Sequence, residues 1–273
     1  MIDSEKWAIP LLAFGLLYYY SHRNTYKPEF NHIQLRINGI KTKKPIHILH
    51  LSDLHMEKIS ITPSQLYQQL KEEEIDLIAL TGDYLDKAKN INKFLQYLAV
   101  LHQRQPKYGI YVVFGNHDYL LRDRIHYFRQ KIEETGAIVL INESHTIQIH
   151  GQIVNIIGID DHFSGRSDIS KAYQNIEKNG INLVLSHDPN IVLQMEGYPF
   201  DYLLSGHFHG GQIHWLKPYH LVKMGKLARQ NMIKGLHFHK ERPFYISEGL
   251  GQTGLNIRLR SRPEITIHTL VSS

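Results

Sequence analysis

Apolar residues fall in short runs that stop abruptly at small or chemistry-bearing side chains. Ile46 to Leu51, Ile75 to Thr81, Gly109 to Phe114, Ile181 to Leu185 and Tyr202 to Ser205 are each about a strand long and rich in aliphatic and aromatic residues. They are followed, in order, by Asp53-Leu54-His55, Gly82-Asp83, Gly115-Asn116-His117-Asp118, Ser186-His187-Asp188 and Gly206-His207-Phe208-His209. Between them the period changes to that of a helix. Pro63 to Glu74 opens with a proline at an early helical position. Asn92 to Gln103 places Phe94, Leu95, Leu98 and Leu101 on one side, and Leu120 to Glu134 runs up to a stop at Gly136. This alternation predicts βαβ units and an α/β architecture. Open α/β sheets collect ligands at the carboxyl ends of their strands, so the five polar fragments are expected on one rim.

The pattern predicts more strands than one sheet needs. Ile33 to Ile37 alternates as an edge strand. Ala137 to Asn142, Thr146 to His150, Ile153 to Ile159, Pro243 to Ser247 and Glu264 to Leu270 also read as strands, with His150-Gly151 as a turn. A second sheet packed on the first accounts for them. The expected organisation is an N-terminal anchor and linker over residues 1–30 and one catalytic domain over residues 31–273.

The N-terminal pattern is different. Trp7 to Tyr20 is an uncharged stretch of 14 residues, shorter than the roughly 17–25 of a spanning helix. Snorkelling from Lys6 to His22 would just cross a thin bilayer. Asp3, Ser4 and Glu5 make a poor start for a cleaved signal, and no A-x-A pattern follows. The expectation is an uncleaved single anchor in the cell membrane, with a helix packed on its own domain as the alternative. Arg23, Lys27, Arg36, Lys41, Lys43 and Lys44 follow it, which points the catalytic domain to the cytoplasm.

Composition narrows the chemistry. The 273 residues include no cysteine and 19 histidines, so disulfides and thiolate metal sites are excluded. Asp, His and Asn side chains gathered on one rim read as a site for two divalent ions, with an Asp carboxylate suited to bridge them. Net charge is +5, which suits an anionic partner. Trp215 to Lys240 holds six lysines and arginines and no acid, interleaved with apolar residues. It reads either as a contact for an anionic membrane surface or as a solvated loop. Asp86 is expected to cap a helix, and Asp160-Asp161-His162 to make a turn or line the pocket.

The ordered set D-x-H, G-D-x-x-D, G-N-H-D, a lone H and G-H-x-H resembles the calcineurin-like metallophosphoesterase superfamily over roughly residues 45 to 271. Gly206-His207-Phe208-His209-Gly210-Gly211-Gln212, Gly249-Leu250-Gly251 and Arg262-Pro263-Glu264-Ile265 resemble its membrane-associated bacterial branch, the UDP-diacylglucosamine pyrophosphohydrolase-like enzymes. Phe208 stands where Thr is more usual. The resemblance implies a four-layer αββα sandwich of two mixed β-sheets. It implies one divalent ion on Asp53, His55, Asp83 and His209 and a second on Asp83, Asn116, His187 and His207. Mn²⁺ is the first choice, with Fe, Zn²⁺ or Mg²⁺ also suited. It further implies attack by a metal-bridging hydroxide on a phosphodiester or pyrophosphate, with His117 facing the phosphate and Asp118 orienting His117. The substrate would be a phosphorylated small molecule or lipid, and no protein partner is indicated. A nuclease of the same superfamily and a non-catalytic metal-binding scaffold are the rival readings. The diffuse charge disfavours nucleic acid, and an intact ligand set disfavours the scaffold.

Overall fold

In a computed structural model that describes residues 4–214 and 218–273, the chain builds two six-stranded mixed sheets. The strands in chain order are β1 (Glu29–Ile37), β2 (Ile46–Leu51), β3 (Leu77–Thr81), β4 (Ile110–Val113), β5 (Ile138–Val139), β6 (Glu143–Ile149), β7 (Gln152–Ile159), β8 (Ile181–Ser186), β9 (Tyr202–Ser205), β10 (Gly235–His239), β11 (Arg242–Ile246) and β12 (Glu264–Ser272). The helices are α1 (Ser4–Asn24), α2 (Pro63–Leu70), α3 (Ile91–Gln103), α4 (Ile125–Glu133), α5 (Ile169–Ala172) and α6 (Lys226–Arg229). One sheet has the order β1-β12-β2-β3-β4-β5, the other β10-β11-β9-β8-β7-β6.

Side-chain alternation along the strands makes the layers. Ile46 and Ile48 of β2, Leu77 and Ala79 of β3, and Leu183 and Leu185 of β8 meet between the sheets. Their neighbours Leu49, Leu51, Ile78 and Leu80 face the other way and pack under Leu66 of α2, Phe94 and Leu98 of α3 and Phe128 of α4. Val184 of β8 and Leu203 of β9 meet Ile191, Met195 and Leu227 on the far side. The result is the four-layer αββα sandwich. Thr62 starts α2 with a capping box: its Oγ1 accepts from Gln65 N (3.2 Å) and Gln65 Oε1 accepts from Thr62 N (2.8 Å). Such a cap stabilises a helix by about 1 kcal/mol.

Three departures from the sequence pattern have local causes. Leu120 to Glu134 is not one helix: a 3₁₀ segment over Asp118–Arg124 is kinked inside at Arg122, whose φ of 50° and ψ of −124° are not helical, and α4 follows it. The Gly235–His239 part of the basic stretch forms a strand, paired antiparallel with β11. The remainder includes Trp215 to Lys217, which lie outside the described residues. The linker expected at the end of residues 1–30 is folded: Asn24 Nδ2 donates to Arg258 O (3.0 Å), Arg258 N to Ser21 O (2.9 Å), and Thr25 is fully buried.

No helix among the described residues is long and apolar enough to cross a membrane, so the expected spanning segment is not found there. What α1 does present is an exposed apolar surface that includes Leu11, Leu12, Phe14 and Leu16.

The space between the sheets also carries polar groups. Tyr202 OH lies 2.8 Å from His268 Nδ1, and His50 Nε2 lies 2.8 Å from Thr81 Oγ1. The Glu264 carboxylate accepts from Tyr245 OH (3.0 Å), Thr266 Oγ1 (2.6 Å) and Glu248 N (3.2 Å). Burial pushes the Glu264 carboxyl up from 4.5 to about 7. The folded chain therefore keeps a proton that the unfolded chain has released, and this group's contribution falls as pH rises from 4.5 to about 7. The full effect is on the order of 3 kcal/mol. Glu264→Gln has no such proton. Its unfolding free energy relative to wild type should rise between about pH 5 and about pH 8, read by denaturant titration; a pH-independent difference would show that Glu264 titrates normally.

Candidate metal centre

The rim residues are set by backbone that most side chains avoid. Asp53 (φ 50°), His55 (39°), Asp83 (56°), His207 (75°) and His209 (51°) are all left-handed, a conformation that costs a non-glycine residue about 1–3 kcal/mol. Cross-links between the strand ends hold them. Asp53 N donates to Gly82 O (2.9 Å), His55 N to Asp83 O (3.0 Å) and Gly206 N to His187 O (3.0 Å). From behind, Gly251 N donates to Asp53 O (2.7 Å). The fully buried Arg258 guanidinium donates to the carbonyls of His209 (2.9 Å), Glu248 (2.8 Å), Gly249 (3.0 Å) and Gly251 (2.5 Å). Glycine is required at 206 because a Cβ there would strike the side chains of Ser52 and Asp53.

Strand ends from both sheets meet in this way. The ligand-type atoms of Asp53, His55 and His209 lie within 4.8 Å of one another, as do those of Asp83, His187 and His207. His209 Nε2 is 3.1 Å from His55 Nε2 and 3.2 Å from Asp53 Oδ1. His187 Nε2 is 3.1 Å from both His207 Nδ1 and Asp83 Oδ2. Asp83 Oδ2 is also 3.7 Å from His55 Nε2, so it stands between the two groups. Asn116 Oδ1, His207 Nε2 and His209 Nδ1 are buried without a hydrogen-bond partner.

Electrostatics sharpens the picture. Burial, then the neighbouring His187, drives His207 well below its ordinary range, and burial with His55 does the same to His209. Both rings are therefore neutral and offer lone pairs. Burial opposes charge on Asp83, but His187 beside it outweighs that and keeps the carboxylate ionised. His187 Nδ1 donates to Thr81 O (2.8 Å), which leaves Nε2 aimed at Asp83. Lone pairs on carboxylate and imidazole thus converge on one another in a dry site. That is tolerable only with protons or cations between them. The donor set of oxygen and imidazole nitrogen fits two divalent ions.

His117 stands outside both groups at the rim, its ring 4.8 Å from and perpendicular to that of His55. Its Nδ1 is 2.9 Å from Asp86 Oδ1. Burial works against a charge on His117, but Asp86 and Asp83 outweigh it and hold the imidazole up at about 9. Asp118, expected to orient His117, does something else. Its two oxygens accept from the backbone N–H groups of Asp83 (2.9 Å), Tyr84 (2.8 Å), Leu85 (3.3 Å) and Gly115 (2.9 Å). It ties two rim loops together and has no oxygen left for the ring. Asp86 takes the orienting position instead. The G-D-x-x-D spacing contained that signal, since its last residue, Asp86, returns to the rim three positions after Asp83. Asp161 accepts from Ser164 N (2.8 Å), closing a turn that brings Phe163 to 4.9 Å from the His207 ring.

A family model described as calcineurin-like phosphoesterase matches residues 46–211. The chain belongs to that family. It is 54% identical over 265 residues to the metallophosphoesterase YkoQ of Bacillus subtilis (strain 168), covering 96% of this chain and 98% of that one. It is 30% identical to phosphodiesterase YaeI of Escherichia coli (strain K12), covering 83% of each. It is 28% identical to the UDP-2,3-diacylglucosamine pyrophosphatase LpxG of Chlamydia muridarum (strain MoPn / Nigg), covering 81% of this chain and 82% of that one. Relatives in this metal-binding hydrolase family thus include a phosphodiesterase and a pyrophosphatase.

If Asp83 joins two ion sites, Asp83→Ala should lose both ions together. Elemental analysis of the wild type and the variant checks this. A variant that keeps one ion would show that the sites are independent.

Proposed function

We propose that the chain hydrolyses a phosphodiester or pyrophosphate bond with two divalent ions, one on Asp53, His55, Asp83 and His209 and the other on Asp83, Asn116, His187 and His207. The observation that carries this reading is the convergence of unshared lone pairs from two groups at Asp83, with His117 held by Asp86 just outside them. Bound ions would acidify water toward neutral pH and offset phosphoryl charge.

The chain's own residues do the rest. Asp86 fixes His117 through Nδ1, so Nε2 is the nitrogen that meets the phosphoryl group. A protonated imidazole there stabilises developing charge on a non-bridging oxygen and can pass a proton to the departing one. Asp118 keeps the loops after β3 and β4 in register, which sets the distance between His117 and Asp83.

The substrate side of the site is apolar. A cleft of about 440 Å³ runs from Asn116 and His117 past Phe163, Ile213, Leu221 and Met224. Such a lining suits an acyl or other hydrophobic arm, consistent with the lipid-linked substrate in the name of LpxG. The exposed apolar side chains of α1 support association with a membrane surface, and the net charge of +5 favours an anionic one.

The decisive test is His117→Ala assayed on bis-p-nitrophenyl phosphate with added Mn²⁺. Turnover should fall on the order of 10²–10⁴-fold while both ions remain by elemental analysis. Loss of metal with the activity would make His117 a ligand, and undiminished turnover would remove it from the chemistry.

A second test concerns α1. Replacing Leu11, Leu12, Phe14 and Leu16 with Ser in the full chain should abolish co-sedimentation with phosphatidylglycerol vesicles and leave bis-p-nitrophenyl phosphate hydrolysis intact. Equal sedimentation of the two proteins would remove α1 from any membrane contact.

A further inference from the structure

The metal centre opens on a second cleft whose chemistry is the opposite of the first. This cleft, about 470 Å³, starts at His55 and Asp86 and is bordered by Lys58, Lys87, Lys89 and Lys93. Thr253 borders both clefts, and each also reaches the metal centre, the first at Asp83, His207 and His209 and the second at His55. Lys93 is occupied, its Nζ donating to Met56 O (2.5 Å). Lys58, Lys87 and Lys89 are exposed, and among the described residues no carboxylate forms an ion pair with any of them.

The loop that carries two of these lysines is braced. Glu57 Oε1 accepts from Asp86 N (3.0 Å), Lys87 N (3.0 Å) and Asn90 Nδ2 (2.7 Å). These bonds fix the turn between Asp86 and α3 through one oxygen, while Oε2 is buried without a hydrogen-bond partner and Glu57 keeps its negative charge. Asp86 is engaged with His117. Four lysines against these two carboxylates leave the wall with a net charge of +2. An empty wall of that kind, one residue from a group that touches His117, attracts negative charge to a defined place beside the reaction.

We infer that Lys58, Lys87 and Lys89 form an anion subsite that takes a second negatively charged group of the substrate, while its apolar arm lies in the opposite cleft. This rests on the phosphoesterase reading and adds a polarity to it: the substrate lies across the metal centre in one direction only. Ammonium groups at an exposed wall bind anions weakly and are screened by salt, so the three act together and their effect falls as ionic strength rises.

The test uses the full chain with Mn²⁺ and the triple substitution Lys58→Ala/Lys87→Ala/Lys89→Ala. Bis-p-nitrophenyl phosphate carries no charge beyond the scissile phosphate. UDP-glucose adds a second phosphate, and p-carboxyphenyl p-nitrophenyl phosphate adds a carboxylate. The quantity read is the KM of each doubly anionic probe, or its Ki where it is not turned over, divided by the KM of bis-p-nitrophenyl phosphate. The triple variant should raise that ratio about tenfold, the combined effect of removing three weak ammonium–anion attractions, and the triple Lys→Arg variant should restore it. A rise for UDP-glucose alone assigns the subsite to phosphate, and a rise for the other probe alone assigns it to carboxylate. An unchanged ratio for both overturns the inference. Should wild type fail to hydrolyse bis-p-nitrophenyl phosphate, the phosphoesterase reading falls. Calorimetric binding of UDP-glucose to wild type and triple variant then decides the subsite separately.

Discussion

Everything at the rim is arranged around a repulsion. Two buried carboxylates and four imidazoles crowd within 3–4 Å of one another. Burial works against a charge on His187, but Asp83 beside it outweighs that and holds a proton on this ring, while His207 and His209 stay neutral. A protein interior tolerates such a cluster only if positive charge enters it. The fold therefore has to hold the side chains together against their own electrostatics when that charge is absent. Five residues in left-handed backbone are part of that restraint, and the cross-linked loops behind them are the rest.

The buried Arg258 is central to that restraint. Its guanidinium is directed at the main chain; it binds four main-chain carbonyls and the Ser261 hydroxyl (2.8 Å). A cation used in this way fixes the course of the chain at His209 and along Glu248 to Gly251, and it lends positive potential beneath Asp53. Asp118 is its mirror image on the other side of the site, an anion that collects four main-chain N–H groups. Charge is applied to the backbone so that the side chains in front stay in position.

What could be read from the sequence was local. A strand that ends in a metal-binding side chain shows itself by its period and its abrupt stop, and the five rim fragments stand where those stops predicted. The order of the fragments was enough to indicate the family and its sandwich. Pairings between distant parts of the chain were not legible. Asn24 is polar and looks like linker, yet it is buried because its partner Arg258 lies 234 residues away. β10 is partly exposed on both faces and paired only at one edge, so it carries no clear alternation. On sequence alone Asp86 goes to a helix cap and Asp118 to His117; the reverse pairing was not legible, because it depends on which carboxylate the backbone amides of the rim loops claim.

The folding of Ser21 to Thr25 onto Arg258 has a geometric consequence for α1. A domain on a flexible tether samples a volume, and its local concentration near a surface depends on tether length. Here the root of the helix is bonded to the same residue that braces the metal centre, so no slack lies between them. Any surface that receives α1 would meet both clefts at one height and one angle. The reach of the site would then be that of a tool mounted on a rigid arm: groups at that depth would be presented repeatedly, and groups above or below it passed over.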